Sequence, residues 1–252
     1  YYAMDQLCNQ CAMVNYSLGG NRQIPITVRA IINRGGEQGA QHSQALQSVF
    51  MHVPGLKVVM PADPVDAKGM LVAAIRDPSP VVYIDDRWLY DEEAVVPEGD
   101  FTRPLTGARL VKQGTDVTVV SSSYLLAETS RALSSLQEAG ISVELIDLRT
   151  LTPVDIRTIR QSVRKTRQLV IVDGTWKTGG VAAEVSAMIA EEGFEFLSGP
   201  IVRFALPDTP APASAPLEKT YYFTRREIAV RIADAIGGPE CVKRLPELGA
   251  IE

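Results

Sequence analysis

Short apolar runs alternate with longer segments of helical periodicity along most of the chain. The apolar runs, bounded by Gly, Pro or Asp, predict strands at 24–32, 56–60, 81–84, 117–121, 143–147, 168–173 and 201–206. Segments in which apolar residues recur at helical spacing predict helices at 3–17, 44–51, 63–76, 124–139, 152 onward, 181–191 and 225–236. Strands that are apolar throughout and alternate with helices are typical of parallel sheets buried on both faces, so the pattern predicts an α/β fold.

Two of these helices have a marked start. Asp63 precedes Pro64, and Thr152 precedes Pro153. A side-chain acceptor at the N-cap satisfies free backbone N–H groups, and Pro fits the first helical position because its missing N–H is not needed there. We therefore expect helices to begin at Pro64 and at Pro153.

One acidic segment interrupts the alternation of strands and helices. Residues 91–105 contain Pro97 and show no periodicity, which is typical of a linker. The linker separates a first domain of residues 1–90 from a second domain of residues 106–252, each predicted to be a wound α/β unit with a mostly parallel sheet. The chain opens inside a helical pattern and without an initiator Met, so we interpret it as the later part of a longer sequence.

Composition and charge exclude several function classes. A formal net charge of -5 and a pI near 5.2 argue against nucleic acid as a partner. No apolar stretch approaches the roughly 20 residues that span a bilayer, and no signal peptide is visible. Three cysteines do not make a disulfide framework in a chain of 252 residues. We therefore expect a reducing compartment, the cytoplasm or the mitochondrial matrix.

Cys8 and Cys11 form a C-x-x-C pattern inside the first predicted helix. A zinc site needs four ligands, and Cys241, His42 and His52 have no matching spacing. Thioredoxin-like pairs open a helix after a strand, whereas this pair lies within one. We favour two buried, small apolar side chains and assign the pair no function.

The candidate chemistry centres on a glycine-rich loop. Gly35-Gly36-Glu37-Gln38-Gly39 follows the strand at 24–32, and His42 lies at or near the start of the helix predicted at 44–51. Glycines allow a ligand to approach the backbone closely. The N-terminal end of a helix disfavours imidazolium, so a neutral ring that exchanges a proton near pH 7 is expected. The alternative is that His42 only caps the helix.

Several segments, taken together, point to one family. They are Ala40–Gln44, His52–Pro61, Asp66–Gly69, Ala74–Val82, Leu148–Pro153, and Gly174–Trp176 with Gly179 and Gly180. In one register over almost the whole chain they resemble the beta subunit of the thiamine-diphosphate-dependent decarboxylating component of 2-oxoacid dehydrogenase complexes, within the transketolase superfamily. Two segments, Ala30–Arg34 and Asp85–Tyr90, depart from the pattern of the well-known members.

The resemblance implies a fold, a reaction and a cofactor. It implies a pyrimidine-binding domain in the first half and a transketolase C-terminal domain in the second. The implied reaction is oxidative decarboxylation of a 2-oxoacid, as in pyruvate dehydrogenase, with acyl transfer to lipoamide. Thiamine diphosphate with Mg²⁺ would bind at the interface with an alpha subunit, and His42 matches the family's active-site histidine. The family's cofactor-binding glutamate falls upstream of Tyr1, so this chain alone is expected to be inactive.

The resemblance also implies partners and a structural cation. The partners are the alpha subunit, the dihydrolipoyl acyltransferase core, and further copies of this chain through the C-terminal domain. The family often binds K⁺ through the equivalents of Ile26, Ala74, Ile75, Asp77 and Ser79. Carbonyl oxygens with one carboxylate suit a hard monovalent cation. The alternative is a helix end that is capped by Asp77 and stopped by Pro78.

Two other functions stay open at this stage. One is a subunit of a transketolase-like or acetoin-cleaving enzyme that uses the same cofactor. The other is a non-catalytic α/β interaction module, which the absence of the cofactor glutamate favours for this sequence.

Overall fold

The computed structural model describes residues 2–246. The first half contains a π-helical segment (Asp5–Cys11), α1 (Ala12–Ser17), β1 (Thr27–Ile32), α2 (Gly39–His42), α3 (Gln47–Met51), β2 (Lys57–Val59), α4 (Pro64–Arg76) and β3 (Val81–Asp86). A 3₁₀ turn (Arg87–Leu89) precedes an irregular segment, after which the second half contains β4 (Arg109–Lys112), β5 (Val117–Ser121), α5 (Ser123–Glu138), β6 (Val143–Asp147), β7 (Thr150–Thr152), α6 (Ile156–Thr166), β8 (Leu169–Trp176), α7 (Val181–Glu192), a 3₁₀ turn (Phe194–Phe196), β9 (Val202–Leu206), α8 (Ala215–Tyr221) and α9 (Arg225–Val242). The predicted domain limits at Tyr1 and Glu252 lie outside the described residues.

The second sheet has the strand order β4-β6-β5-β8-β9. Four of its strands are parallel, and β4 runs antiparallel to β6 at one edge. Helices α5 and α9 pack together on one face, over Val119 and Leu145. Helices α6 and α7 pack on the other face, over Val120 and Ile146. All seven predicted strands are present, and the predicted wound α/β fold is confirmed.

The first sheet has the order β1-β3-β2-β7, and its last strand comes from the second half of the chain. Strands β1, β3 and β2 are parallel, whereas β7 pairs antiparallel with β2 and places Thr152 opposite Val58. Neither β7 nor β4 was predicted, because both are short. Val58 and Ile84 of the first sheet share one buried cluster with Ile146 of the second. The two domains therefore pack against each other through a common core.

One predicted helix start is confirmed and the other is wrong. Asp63 is the N-cap of α4 and accepts from the N–H of Asp66 at 2.8 Å, with Pro64 as the first helical residue. The second helix begins later than predicted, at Ile156, and Asp155 is its N-cap. Thr152 cannot cap that helix because it belongs to β7, where pairing with β2 keeps it extended.

The predicted position of His42 at a helix start is also wrong. Residues 39–42 form the single turn α2, and His42 is its last residue. Ser43, at φ -112°, separates this turn from α3, which begins at Gln47 instead of residue 44. The argument from the N-terminal end of a helix dipole therefore does not apply to His42.

Two features near the end of the chain were not predicted. The Pro- and Ala-rich stretch before Tyr221 contains the short helix α8, which carries residues of the candidate site. Helix α9 was expected to end at Ile236, but it resumes after a kink at Gly237 and Gly238. No helix within residues 2–246 is long and apolar enough to cross a membrane.

Candidate functional site

The glycine-rich loop lies at the carboxyl edge of the first sheet. Strands β1 and β3 are parallel, and Ile32 at the end of β1 lies opposite Asp86 at the end of β3. The segments that follow the two strands therefore leave the sheet at the same edge. In open α/β sheets this edge is where ligands bind. His42, which follows β1, is thus carried at the edge where a ligand is expected.

A buried ion pair lies at this edge of the first sheet. Arg34 Nε lies 2.6 Å from Asp86 Oδ2, and the side chains are 5% and 0% exposed. Burial lowers the pKa of the Arg34 guanidinium, but the facing carboxylate of Asp86 outweighs it and leaves the pKa above its usual value. Arg34 Nη1 also donates to the carbonyl of Gly174, at 3.4 Å. Arg34 therefore links the loop after β1 both to β3 and to β8 of the second sheet.

Aromatic side chains fix the start of the same loop. Gly35, at φ 61°, lies so close to the indole of Trp88 that a Cβ at position 35 would overlap it. Trp88 in turn packs edge-on against Tyr124 and Tyr222, with ring centroids 4.8 and 5.3 Å away. Because both tyrosines belong to the C-terminal domain, that domain helps to set the loop's backbone path.

The centre of the loop contacts α8. The N–H of Glu37 donates to both carboxylate oxygens of Glu218, at 3.0 and 3.1 Å. The N–H of Ala215 donates to Glu37 Oε1 at 3.2 Å. These contacts join residues that lie about 180 positions apart in the sequence.

His42 itself is exposed, and its neighbours present unpaired polar atoms. Ser43 Oγ and Gln47 Oε1 are both buried and have no hydrogen-bond partner within residues 2–246. Buried polar atoms are paired in the great majority of cases. These two atoms therefore lie unpaired inside the chain, close in sequence to the exposed His42.

The residues proposed for a cation lie together at the turn from α4 to β3. Asp77 follows α4 and accepts from the N–H of Ser79 at 2.8 Å and from Lys57 Nζ at 2.5 Å. Both carboxylate oxygens are thus engaged with groups outside α4, and the contact that caps the helix is made by the Asp77 backbone. The N–H of Asp77 donates to the Ala74 carbonyl at 3.2 Å.

The remaining donors of this set are backbone carbonyls. The Ile26 carbonyl accepts from the N–H of Val81 at 2.9 Å, and each carbonyl oxygen keeps a second lone pair after one hydrogen bond. The Ile26 and Ala74 carbonyls therefore each accept one backbone hydrogen bond and keep a lone pair. Within residues 2–246, no three His, Cys, Asp or Glu side chains come close enough to hold a metal ion.

A second charged cluster lies where the domains meet. Asp147, at the end of β6, accepts from Arg109 Nη2 at 3.0 Å, and Arg109 also pairs with Asp63 at the start of α4 at 2.8 Å. Asp66 lies 3.4 Å from Arg149 Nη1. Burial raises the pKa of Asp147 to about 7, although Arg109 acts in the opposite direction. The cluster therefore contains a carboxyl group that titrates near neutral pH.

Sequence reasoning singled out His42 but missed the residues that hold its loop. Arg34 and Asp86 could have been noticed in the sequence, because each belongs to a segment that departs from the pattern of the resembling family. Glu218 could not have been noticed in this way, because its hydrogen-bond partner Glu37 lies 181 positions away in the sequence.

Comparison with known proteins first defines the class. The transketolase pyrimidine-binding domain family matches residues 2–92, and the transketolase C-terminal domain family matches residues 107–228. A split-gene transketolase, described as an inactive beta4 tetramer, superposes with a TM-score of 0.76 over 94% of this chain and 72% of that one. Its sequence is 21% identical, so the likeness shows the fold alone.

Two related proteins define the family more closely. The beta subunit of acetoin:2,6-dichlorophenolindophenol oxidoreductase from Cupriavidus necator is 38% identical over 93% of this chain and 69% of its own length. The beta subunit of the pyruvate dehydrogenase E1 component from Gracilaria tenuistipitata var. liui is 42% identical over 86% of this chain and 67% of its own length. The chain therefore belongs to the transketolase-type family of beta subunits of pyruvate and acetoin dehydrogenases, which confirms the resemblance read from the sequence.

Proposed function

We propose that the protein is the beta subunit of a thiamine-diphosphate-dependent 2-oxoacid dehydrogenase of the pyruvate dehydrogenase type. With an alpha subunit it would decarboxylate a 2-oxoacid oxidatively and pass the acyl group to lipoamide. The observation that carries the proposal is the position of His42, exposed at the carboxyl edge of the first sheet in a chain of this family. An exposed imidazole there is free to exchange a proton with a substrate or lipoyl group.

The cofactor would bind with Mg²⁺ at the interface between the two subunits. Thiamine diphosphate supplies the electron sink that decarboxylation of a 2-oxoacid needs. This chain would provide the aminopyrimidine side of the site. The Arg34–Asp86 pair and Trp88 would hold the loop in place while His42 gives or takes a proton.

Three partners follow from this role. The alpha subunit would complete the cofactor site, and the dihydrolipoyl acyltransferase core would accept the acyl group. Self-association would use the C-terminal domain. Its edge strand β4 supports this role, because Leu110 and Val111 are 44% and 40% exposed there.

A monovalent cation at the turn after α4 belongs to the same proposal. The carbonyls of Ile26, Ala74 and Ile75 would bind K⁺, and Asp77 with Ser79 would hold the turn around it. The cation would stabilise the first domain and take no part in the reaction.

Acetoin cleavage is the second candidate function. The acetoin oxidoreductase subunits from Cupriavidus necator and Bacillus subtilis are 38% and 39% identical over 93% of this chain, in the same range as the pyruvate dehydrogenase subunits. Acetoin and pyruvate both offer a carbonyl carbon to the same cofactor, so the two functions differ in the carbonyl donor. A non-catalytic interaction module is the third possibility, and it predicts no turnover of either donor.

One assay separates these functions. The protein is assembled with its alpha subunit and supplied with thiamine diphosphate and Mg²⁺. Pyruvate, a branched-chain 2-oxoacid and acetoin are then compared as donors, with lipoamide or dichlorophenolindophenol as acceptor. Turnover of a 2-oxoacid with CO₂ release supports the proposal, turnover of acetoin alone favours the second function, and no turnover of any donor contradicts both.

A further inference from the structure

Two glutamates fasten the His42 loop to the C-terminal domain. Glu218 accepts from the N–H of Glu37 through both carboxylate oxygens, at 3.0 and 3.1 Å. Glu37 accepts in return from the N–H of Ala215, at 3.2 Å. Ala215 is the first residue of α8, so Glu37 satisfies one of the free N–H groups at that helix end. Each glutamate thus binds the segment that carries the other.

The hydrogen bond between Glu37 and Glu218 differs from one at the surface because its acceptor, Glu218, is buried. Glu218 is only 8% exposed, and a buried carboxylate is costly unless it is hydrogen-bonded. Glu37 adopts φ 58°, in the left-handed region that residues other than glycine occupy only at a cost in free energy. The hydrogen bonds to Glu218 and Ala215 offset that cost and select this backbone conformation of the loop.

A packing contact lies beside the glutamates. Gly39, at φ 67°, is buried against the segment before α8, and a Cβ at this position would lie 3.1 Å from Ala213 Cβ. Residues 213–218 therefore contact the loop on both sides of Gln38. His42 ends the single helical turn that begins at Gly39, so these contacts lie one turn from the imidazole.

We propose that Glu218 is a positioning residue that holds the His42 loop in its working conformation. The inference deepens the proposed function and rests on it for the role of His42. A loop with glycines at 35, 36 and 39 has wide backbone freedom when it is not held. Fastening it beside α2 restricts the positions that the imidazole can reach, and such restriction is what acid–base catalysis requires.

Hydrogen exchange tests the structural half of the proposal on the chain itself. In wild type the amide of Glu37 is protected, because it donates to Glu218. Glu218→Ala should raise exchange across residues 35–42 by about tenfold, since one hydrogen bond to a charged group is lost. Glu218→Gln keeps one acceptor oxygen and should restore part of the protection. Unchanged exchange in Glu218→Ala would overturn the proposal.

Glu227 provides a matched control. It also lies in the C-terminal domain and accepts a backbone hydrogen bond, from Thr224 at 2.8 Å in the capping box of α9. Glu227→Ala should lower the melting temperature without raising exchange in residues 35–42. Equal loop exchange in the two alanine variants would mean that general destabilisation causes the effect, and would also overturn the proposal.

Activity of the assembled enzyme tests the functional half. Glu218→Ala should lower kcat at least tenfold with little change in KM, and Glu218→Gln should recover part of kcat. A mobile loop with unchanged kcat would overturn the positioning role. A wild-type assembly that turns over no donor would instead contradict the proposed function, and the exchange experiment would still decide whether Glu218 holds the loop.

Discussion

Arg34 and Asp86 form an ion pair that is almost completely buried, with Arg34 Nε 2.6 Å from Asp86 Oδ2. The two residues belong to the two segments that depart from the pattern of the well-known family members. A buried charge is tolerated when it is paired, so neither residue would be stable in its place without the other. The pair therefore joins the end of β3 to the start of the loop that carries His42.

The ion pair should contribute strongly to stability. Asp86→Ala should lower the free energy of unfolding by about 3–5 kcal/mol, because it leaves Arg34 buried without its counter-ion. The double variant Arg34→Met with Asp86→Leu should recover most of that loss, since it removes both charges. Urea denaturation of the three proteins measures the effect.

The neighbouring pair between Arg29 and Asp85 is the matched control. It joins β1 to the same strand β3 at 2.5 Å, but Arg29 is 52% exposed. Arg29→Ala should change the free energy of unfolding by less than about 1 kcal/mol, as expected for exposed pairs. Equal losses in Asp86→Ala and Arg29→Ala would show that burial does not set the strength of the Arg34–Asp86 pair.

His42 should affect turnover and leave stability nearly unchanged. His42→Ala in the assembled enzyme should lower kcat by about 10²-fold or more, the usual contribution of an acid–base group. The melting temperature should stay close to wild type because the side chain is exposed. His52→Ala, which removes the other exposed histidine, should retain wild-type kcat. A large drop in melting temperature with kcat intact would contradict the assignment.

Asp147 should make stability depend on pH. Its pKa is about 7 in the folded protein and near 4 when unfolded, so the folded state holds a proton that the unfolded state releases in this range. The stability that this proton adds is complete below about pH 4 and declines as the pH rises through 7.

Asp147→Asn removes that titration. The free energy of unfolding of wild type, minus that of Asp147→Asn, should therefore fall between about pH 4 and pH 7 and level off above. Urea denaturation at five pH values from 4 to 8 measures the difference. The other carboxylates titrate in both proteins and cancel. A constant difference across the range would contradict the raised pKa.

The proposed cation site predicts an ion-specific stabilisation. K⁺ should raise the melting temperature more than Na⁺, since a ligand that binds only the folded state stabilises it by mass action. Asp77→Ala should abolish the difference, because the turn loses the contacts to Ser79 and Lys57 that shape the site. Identical melting curves in K⁺, Na⁺ and choline buffers would leave only the helix-capping role of Asp77.

The fold class and most strands could be predicted from the sequence, because apolar runs bounded by Gly and Pro depend on local patterning. The N-cap at Asp63 could also be predicted, because its side chain accepts a hydrogen bond from the N–H of a residue only three positions further along the chain. Thr152 showed a similar local signal, but pairing with β2 overrode it. The local sequence does not indicate that β7 pairs with β2, because the two strands lie about 90 residues apart.

The candidate site was predictable only in part. The pattern around His42 identified the histidine, yet its place at the end of α2 depends on contacts of the loop with residues far along the chain. The same holds for Glu218, whose role exists only once α8 has packed against the loop. Resemblance to a family identified the class of protein, whereas the residues that hold the loop in place became visible only in three dimensions.

The central claim is that this chain contributes one side of a cofactor site that a second subunit completes. Calorimetric titration of thiamine diphosphate with Mg²⁺ tests it most directly, with the protein alone and with the protein assembled with its alpha subunit. The account predicts no heat of binding for the chain alone and saturable binding by the assembly. Tight binding by the chain alone, or no binding by the assembly, would contradict the shared site.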